Sequence, residues 1–189
     1  TFSELDTAAR RIAAKLISNG FGHGDKALIT ASRGIGFVEA VFGILMAGGA
    51  YVPLSDHYPE DRTKYIADNC GAKLCIDDAY IAGTASIEPV DQIAETKPHD
   101  IALIVYTSGS TGKPKGIMHD HMSLRSAALR VIKALGVTES CSFTAYFTFC
   151  HFFNSFRIFG QHCFSCKFIS LDFSLVTQQK IFYHIFLIL

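Results

Sequence analysis

A segment between residues 106 and 116 combines glycine, hydroxyl and lysine side chains, which are residue types that bind polyphosphates. It reads Tyr106-Thr107-Ser108-Gly109-Ser110-Thr111-Gly112-Lys113-Pro114-Lys115-Gly116. The three glycines allow positive φ angles and a close approach of the backbone to a ligand, so successive N–H groups can point at one anion. The serine and threonine hydroxyls add further hydrogen-bond donors for an anion, and the lysines add positive charge. We therefore predict phosphate contacts from Thr107, Ser108, Gly109, Ser110, Thr111, Gly112, Lys113, Lys115 and Gly116.

This segment differs from a Walker A loop. That pattern needs a glycine where the chain has Thr107 and a Ser or Thr where it has Pro114. Pro114 also disfavours direct passage from Lys113 into a helix. The alternative interpretation is a surface loop made of ordinary turn residues.

The string resembles the phosphate-binding signature of the adenylate-forming superfamily, which includes acyl-CoA synthetases, luciferase-like ligases and the adenylation domains of nonribosomal peptide synthetases. The resemblance implies that the segment holds the β- and γ-phosphates of ATP, with Mg²⁺, while a carboxylate attacks the α-phosphorus. It also implies a catalytic role for Lys115, whose charge would offset that of the departing pyrophosphate.

A second string supports the same resemblance. Leu45-Met46-Ala47-Gly48-Gly49-Ala50-Tyr51-Val52-Pro53-Leu54, followed by Tyr58-Pro59-Glu60-Asp61-Arg62, is similar to a signature of amino-acid adenylation domains. Ser55-Asp56 departs from the Asp-Pro usual in that branch. The resemblance implies a carboxylic or amino acid substrate, followed by transfer to carrier-protein phosphopantetheine or coenzyme A. Glu60 and Arg62 are interpreted as the solvated start of a helix rather than as site charges.

The elements around the phosphate-binding segment predict an α/β fold, and the resemblance implies that they are the amino-terminal part of the large domain of an adenylate-forming ligase. The apolar run 101–105 reads as a buried strand, so the segment would leave its carboxyl end, where open α/β sheets bind ligands. Residues 79–100 read as irregular. The other predicted elements are a helix over 3–20 capped by Ser3, strands over 26–30, 50–54 and 73–76, and helices over 35–46, from about 60 to 69, and from about 121 to a stop at Gly136.

Composition limits the functional classes. The chain has 189 residues, 49% hydrophobic content and no net charge, which predicts one or two domains and no nucleic-acid or membrane partner. The first residues lack the basic and apolar regions of a secretory signal, so we expect a cytoplasmic protein without disulfides. Cys70 and Cys75 are expected to be small buried groups. Because the sequence starts at Thr1 rather than Met, we expect it to be part of a longer one.

Two short clusters raise the alternative of a bound metal. Asp77-Asp78 follows a predicted strand, and His119 alternates with His121 before a predicted helix. Neither has further ligands at a usual spacing, so a turn and a helix start are the favoured interpretations and no metal site is predicted. His121 stands where the superfamily usually has a histidine at the start of this helix.

The composition changes at residue 141. Twelve of the sixteen phenylalanines follow this point, together with one acid, Asp172, and one glycine, Gly160. Residues 1–140 are interpreted as a partial adenylation domain, and 141–189 as a tail outside the family, from a frameshift, a retained intron or a premature stop. A membrane segment and a zinc site at Cys163 and Cys166 are the alternatives.

These interpretations leave several functions open. The first is a fragment of an amino-acid adenylation domain, and an acyl-CoA synthetase fragment is the closest alternative. A truncation product that binds nucleotide without turnover is another. A membrane-attached or zinc-binding accessory protein is the last, and it depends on the tail alone.

Overall fold

The computed structural model describes residues 1–55, 58–108, 113–135, 143–144 and 170–171. Strands and helices alternate through most of this part, as the sequence predicts for an α/β protein. The elements, in chain order, are α1 Phe2–Ser18, β1 Lys26–Ile29, α2 Ile35–Met46, β2 Ala50–Pro53, α3 Glu60–Cys70, β3 Leu74–Ile76, α4 Asp78–Ala82, β4 Ile101–Ser108, β5 Pro114–Asp120, α5 His121–Leu135, β6 Phe143–Thr144 and β7 Ser170–Leu171.

The main sheet has the strand order β3-β1-β2-β4-β5. The first four strands are parallel, and β5 pairs antiparallel with β4. Parallel strands end at the same edge of a sheet, so the carboxyl ends of β1, β2 and β4 lie together there. This is the edge at which open α/β sheets bind their ligands.

Both faces of the sheet are covered. One face packs against α1 and α2 and also buries Leu124 of α5, and the other packs against α3 through Ile66. Side chains alternate between the two clusters along β4, with Val105 in the first and Tyr106 in the second. A register shift between Ile101 and Leu103 interrupts the alternation, and Ala102 and Leu103 both face the first cluster.

The start of α1 differs from the prediction. Thr1, rather than Ser3, caps the helix: its hydroxyl accepts from the Glu4 backbone N–H, and the Glu4 carboxylate reaches back to the Thr1 amino group. This reciprocal capping box satisfies two donors that a Ser3 cap would leave unpaired. The predicted stop is confirmed, since Gly20 has φ +75° in the left-handed region.

Two further predictions are wrong. Residues 79–100 include the end of the short helix α4, whose first turn is capped by the Asp77 carboxylate accepting from the Tyr80 N–H at 2.7 Å. Cys75 is exposed and Cys70 is half-buried, so neither is a fully buried apolar group. The cause at Cys75 is its place on β3, an edge strand of the described sheet, where its thiol lies 3.2 Å from the Thr30 hydroxyl.

The predicted tail falls mostly outside the described residues. Within it, Phe143–Thr144 pairs antiparallel with Ser170–Leu171. Cys163, Cys166 and the predicted helix stop at Gly136 lie outside the described residues. No helix in the part of the chain that the structure describes combines the length and the hydropathy needed to cross a bilayer.

The junction between α2 and β2 leaves no room for a side chain at Gly49. A Cβ there would lie 2.3 Å from the Phe21 ring and 2.8 Å from the Asp25 carbonyl oxygen. We expect Gly49→Ala to lower the free energy of unfolding by about 1–3 kcal/mol, because the backbone must move to relieve the contact. Urea denaturation measures this. The matched control is Gly22→Ala, where nothing lies within 4 Å of the new Cβ; equal losses in the two variants would contradict the packing argument.

Candidate phosphate-binding hairpin

The segment predicted as a phosphate-binding loop is largely the end of a β-hairpin. β4 extends to Ser108 and β5 begins at Pro114, so strands replace both ends of the predicted loop. The antiparallel register pairs Tyr106 with Gly116, Thr107 with Lys115, and Ser108 with Pro114. The prediction missed the hairpin because it ended the strand at Val105, the last residue of the apolar run. We call the paired strands β4 and β5 the signature hairpin.

Local sequence explains why the hairpin forms. Residues 102–106 of β4 are all buried, so this strand is fixed inside the sheet before it reaches Thr107. Pro114 lacks an N–H donor and is tolerated because it is the first residue of β5, an edge strand of the described sheet. The side chains that follow on β5 are largely exposed, including Ile117 and Met118.

Thr107 and Lys115 form the centre of the candidate site. They are directly opposite in the hairpin, so their Cβ atoms are about 4.5–5.5 Å apart. The alternation along β4 places both on the face that carries α1 and α2. Thr107 is half-buried, while Ser108, Lys113 and Lys115 are exposed. The pair thus places a hydroxyl side chain and a lysine side chain on the same face of the hairpin, at the carboxyl edge of the parallel strands.

Not every predicted contact residue is described. Gly109, Ser110, Thr111 and Gly112 lie outside the described residues. No carboxylate in the described ranges forms an ion pair with Lys113 or Lys115. Both positive charges therefore remain uncompensated within that part of the chain, which suits an anionic ligand.

The structure gives a different reason for a glycine at position 116 from the predicted one. Its φ is not in the left-handed region, so conformational freedom does not explain the glycine, and that expectation is wrong. A Cβ at this position would lie 3.0 Å from Ile104 Cγ2 and 3.1 Å from Tyr106 Cζ. A side chain at this position would therefore press on the Tyr106 ring, which lies against the Gly116 backbone.

Helix α3 contributes residues that the sequence analysis missed. The Tyr106 hydroxyl donates to Asn69 Oδ1 at 2.6 Å, and the Tyr65 hydroxyl lies 3.5 Å from the Pro114 carbonyl oxygen, which is longer than a usual O–H···O hydrogen bond. Burial, with the Cys70 thiol and Tyr65 nearby, raises the pKa of Tyr106 to about 12. A usable signal was present: a tyrosine at the end of a buried strand needs a hydroxyl partner.

The acidic and histidine pairs considered as metal ligands have structural partners. The Asp78 carboxylate accepts from the backbone N–H and the hydroxyl of Ser32, which joins the loops after β1 and β3. His121 is the first residue of α5 and is 6% exposed. In the described ranges no group of three or more His, Cys, Asp or Glu side chains is placed to hold a metal ion.

The junction between β5 and α5 is fixed by Asp120. Its carboxylate lies 2.9 Å from His99 Nδ1 and accepts from the Ser123 N–H at 2.7 Å. These bonds, that of His99 first, lower the pKa of Asp120 to about 2. The first two N–H groups of α5, from His121 and Met122, donate to the carbonyls of Asp100 and Pro98. The exit from the hairpin is therefore held at several points.

The helix α3 start agrees only partly with the prediction. Glu60 and Asp61 are exposed in the first turn, as predicted for a solvated helix start. Arg62 is half-buried instead, with its guanidinium 4.2 Å from the centre of the Tyr58 ring. Arg62 therefore packs on the protein surface through a cation–π contact.

Comparison with known proteins identifies the family. The family described as AMP-binding enzyme matches residues 1–95 and 80–173 of the chain. The chain belongs to this family, and the resemblance to adenylate-forming ligases is confirmed. The second match continues past residue 141, where the composition changes; the origin of the residues after that point stays a prediction.

The most similar relatives include large peptide synthetases. Surfactin synthase subunit 2 of Bacillus subtilis is 36% identical over 158 residues, covering 74% of this chain and 4% of that protein. Bacitracin synthase 1 of Bacillus licheniformis is 30% identical over 176 residues, covering 91% of this chain and 3% of that protein. The chain thus spans only a few per cent of the length of these relatives.

Solved structures of adenylate-forming enzymes share the fold. The amino-terminal subdomain of Klebsiella oxytoca NpsA, in complex with 3-hydroxyanthranilyl-AMSN, has a TM-score of 0.66 and 27% identity, covering 74% of this chain and 38% of that one. A Legionella pneumophila fatty acyl-adenylate ligase, in complex with acyl adenylate and pyrophosphate, has a TM-score of 0.62 and 27% identity, covering 74% of this chain and 28% of that one.

The lowered pKa of Asp120 predicts a pH-dependent contribution to stability. A carboxyl whose pKa falls from about 3.9 unfolded to about 2 folded stabilises the fold above about pH 4 and loses this contribution as the pH falls toward 2. We expect the free energies of unfolding of wild type and Asp120→Asn to differ at pH 5 and to converge by about pH 2. Urea denaturation across this range measures the difference.

The control for this experiment is Asp68→Asn, which removes an exposed carboxylate on α3 that has no hydrogen-bond partner in the described part of the chain. A change of the same size with pH in this variant would trace the effect to the loss of any one carboxylate rather than to the hydrogen bonds of Asp120. If the difference in free energy of unfolding between wild type and Asp120→Asn stays constant down to pH 2, the ionised Asp120 carboxylate does not stabilise the fold in the way predicted.

Proposed function

We propose that this chain is the phosphate-binding part of an adenylation domain that activates a carboxylic acid, in particular an amino acid. The observation that carries the proposal is the Thr107–Lys115 pair at the carboxyl edge of a parallel sheet, within a hairpin bearing the signature residues. Membership of the AMP-binding enzyme family supports it, as does similarity to surfactin and bacitracin synthases.

The proposed reaction has two steps. A carboxylate oxygen of the acid attacks the α-phosphorus of ATP, a new oxygen–phosphorus bond forms, and the bond to the oxygen that bridges the α- and β-phosphates breaks. Pyrophosphate leaves with that electron pair. A thiol of carrier-protein phosphopantetheine or coenzyme A then attacks the acyl carbonyl, giving a thioester and AMP.

The residues of this chain would act on the departing pyrophosphate. The Lys115 ammonium would offset negative charge on the β- and γ-phosphates, and this is the catalytic role proposed for it. The Thr107 and Ser108 hydroxyls would donate hydrogen bonds to phosphate oxygens, with further contacts proposed for Gly109, Ser110, Thr111, Gly112, Lys113 and Gly116. Fixed donors cost no reorganisation as charge develops in the transition state.

Mg²⁺ fits this arrangement through the nucleotide. The described residues offer no cluster of carboxylates, and Mg²⁺ commonly binds through substrate phosphates with few protein ligands. When bound, it would supply further positive charge at the pyrophosphate. Among the described residues of the hairpin, the hydroxyls of Thr107 and Ser108 would be hard oxygen groups near those phosphates.

The first test is the affinity of the chain for inorganic pyrophosphate and for MgATP, measured by isothermal titration calorimetry. We expect Lys115→Ala to weaken pyrophosphate binding by about 10-fold or more, because a charge-assisted contact to phosphate contributes about 1.5–3 kcal/mol. Its thermal stability should change little, since Lys115 is exposed. Where adenylation is measured as ATP–pyrophosphate exchange, this variant should lose rate well beyond its effect on stability.

The matched control is Lys64→Ala, which removes an exposed lysine from α3. It should retain wild-type affinity for pyrophosphate. Equal affinities of wild type, Lys64→Ala and Lys115→Ala would remove Lys115 from the proposed role. Exchange supported by amino acids but not by fatty acids would favour the peptide-synthetase branch, and the reverse would favour the acyl-CoA synthetase alternative.

A further inference from the structure

Each strand of the signature hairpin contacts one face of α3. On β4 the contact is the hydrogen bond of Tyr106 to Asn69, and on β5 it is the approach of the Tyr65 hydroxyl to the Pro114 carbonyl. Tyr65 and Asn69 are four residues apart, so they lie one above the other on the same side of the helix. One face of α3 thus contacts both strands near the end of the hairpin.

The Tyr106 ring has little freedom to move. It is 7% exposed, belongs to the apolar cluster between the sheet and α3, and lies against the backbone of Gly116 on the opposite strand. Its hydroxyl is held at the other end by Asn69 at 2.6 Å. The ring therefore couples three elements at one point: β4, β5 and α3.

The groups proposed to bind phosphate are the immediate neighbours of these contacts. Thr107 and Ser108 follow Tyr106 on β4, and Lys115 lies between Pro114 and Gly116 on β5. A shift of the Tyr106 backbone would move its chain neighbour Thr107, and a shift of Pro114 or Gly116 would move Lys115. Misplacement of binding groups by about 1 Å can cost two orders of magnitude in an enzymatic rate.

We propose that Asn69 of α3 and Tyr106 are positioning residues that fix the phosphate-binding end of the signature hairpin. The inference rests on the proposed function and extends it to side chains that would not touch the nucleotide. Asn69 is exposed and Tyr65 is half-buried, so Asn69 in particular contributes little to the core. A positioning role explains why the side-chain amide of Asn69 is directed at the hairpin.

The experiment compares wild type with Tyr106→Phe, Asn69→Ala and the double variant in the complete chain. Titration with inorganic pyrophosphate gives Kd, and thermal denaturation gives stability. We expect each single variant to weaken pyrophosphate binding by about 3- to 10-fold, because each removes the hydrogen bond that holds Tyr106 to α3 and so lets the neighbouring phosphate-binding groups shift. The double variant should be no weaker than the singles, since partners in one interaction are not additive.

Tyr80→Phe is the matched control. It also removes a buried tyrosine hydroxyl, but from α4. This helix packs against α2 and against β3, which lies at the opposite end of the strand order from β5. We expect its Kd to equal that of wild type even if its stability falls. Hydrogen exchange of the Thr107 and Lys115 amides should accelerate in Tyr106→Phe and Asn69→Ala and not in Tyr80→Phe.

The outcomes separate the two proposals. Wild-type binding of pyrophosphate together with unchanged Kd in Tyr106→Phe and Asn69→Ala would overturn the positioning role and leave the proposed function standing. Additive losses in the double variant would overturn it as well. Failure of the wild-type chain to bind pyrophosphate or MgATP would overturn the proposed function and, with it, the positioning role.

Discussion

The burial of β4 on both faces is the constraint on which the rest of the structure depends. From Ala102 to Tyr106 every side chain is buried, alternating between the cluster under α1 and α2 and the cluster under α3 after the register shift. A slip of one residue would move each side chain into the opposite cluster, where its size does not match the packing, so the two buried faces fix the register. Thr107 and Ser108 therefore emerge at a fixed place, and the orientation of every later group in the hairpin follows from it.

The signature residues accordingly divide into two physical classes. The first class serves the hairpin itself: Tyr106 places its ring in the core, and Pro114 begins the edge strand. Gly116 leaves space for the Tyr106 ring. Thr107, Ser108 and Lys115 present polar groups beyond the core. A sequence motif read only as ligand chemistry merges these classes, although substitutions in them would fail for different reasons: misplacement in the first and loss of charge or hydrogen bonding in the second.

Local pattern was enough for much of the fold. The bounds of α2, the first turn of α3 and the stop at Gly20 follow from periodicity, helix-start acids and glycine. What the sequence did not predict depends on which segments contact each other rather than on the pattern within one segment. The hairpin forms because β5 finds β4, and Gly116 is needed because of Tyr106. The acceptor for Tyr106 lies 37 residues upstream, at Asn69. In the candidate site, the residue types could be predicted from the motif, but the contact of α3 with the hairpin could not.

The place of β5 at the edge of the described sheet also affects how the protein behaves in solution. An edge strand presents unpaired backbone groups to which another chain can add, and this one carries the exposed apolar side chains of Ile117 and Met118. Lysine side chains on an edge oppose such pairing through their charge. The charges of Lys113 and Lys115 would therefore oppose pairing of this edge with a second molecule. Conditions that neutralise them, including high concentrations of multivalent anions, would favour edge-to-edge aggregation.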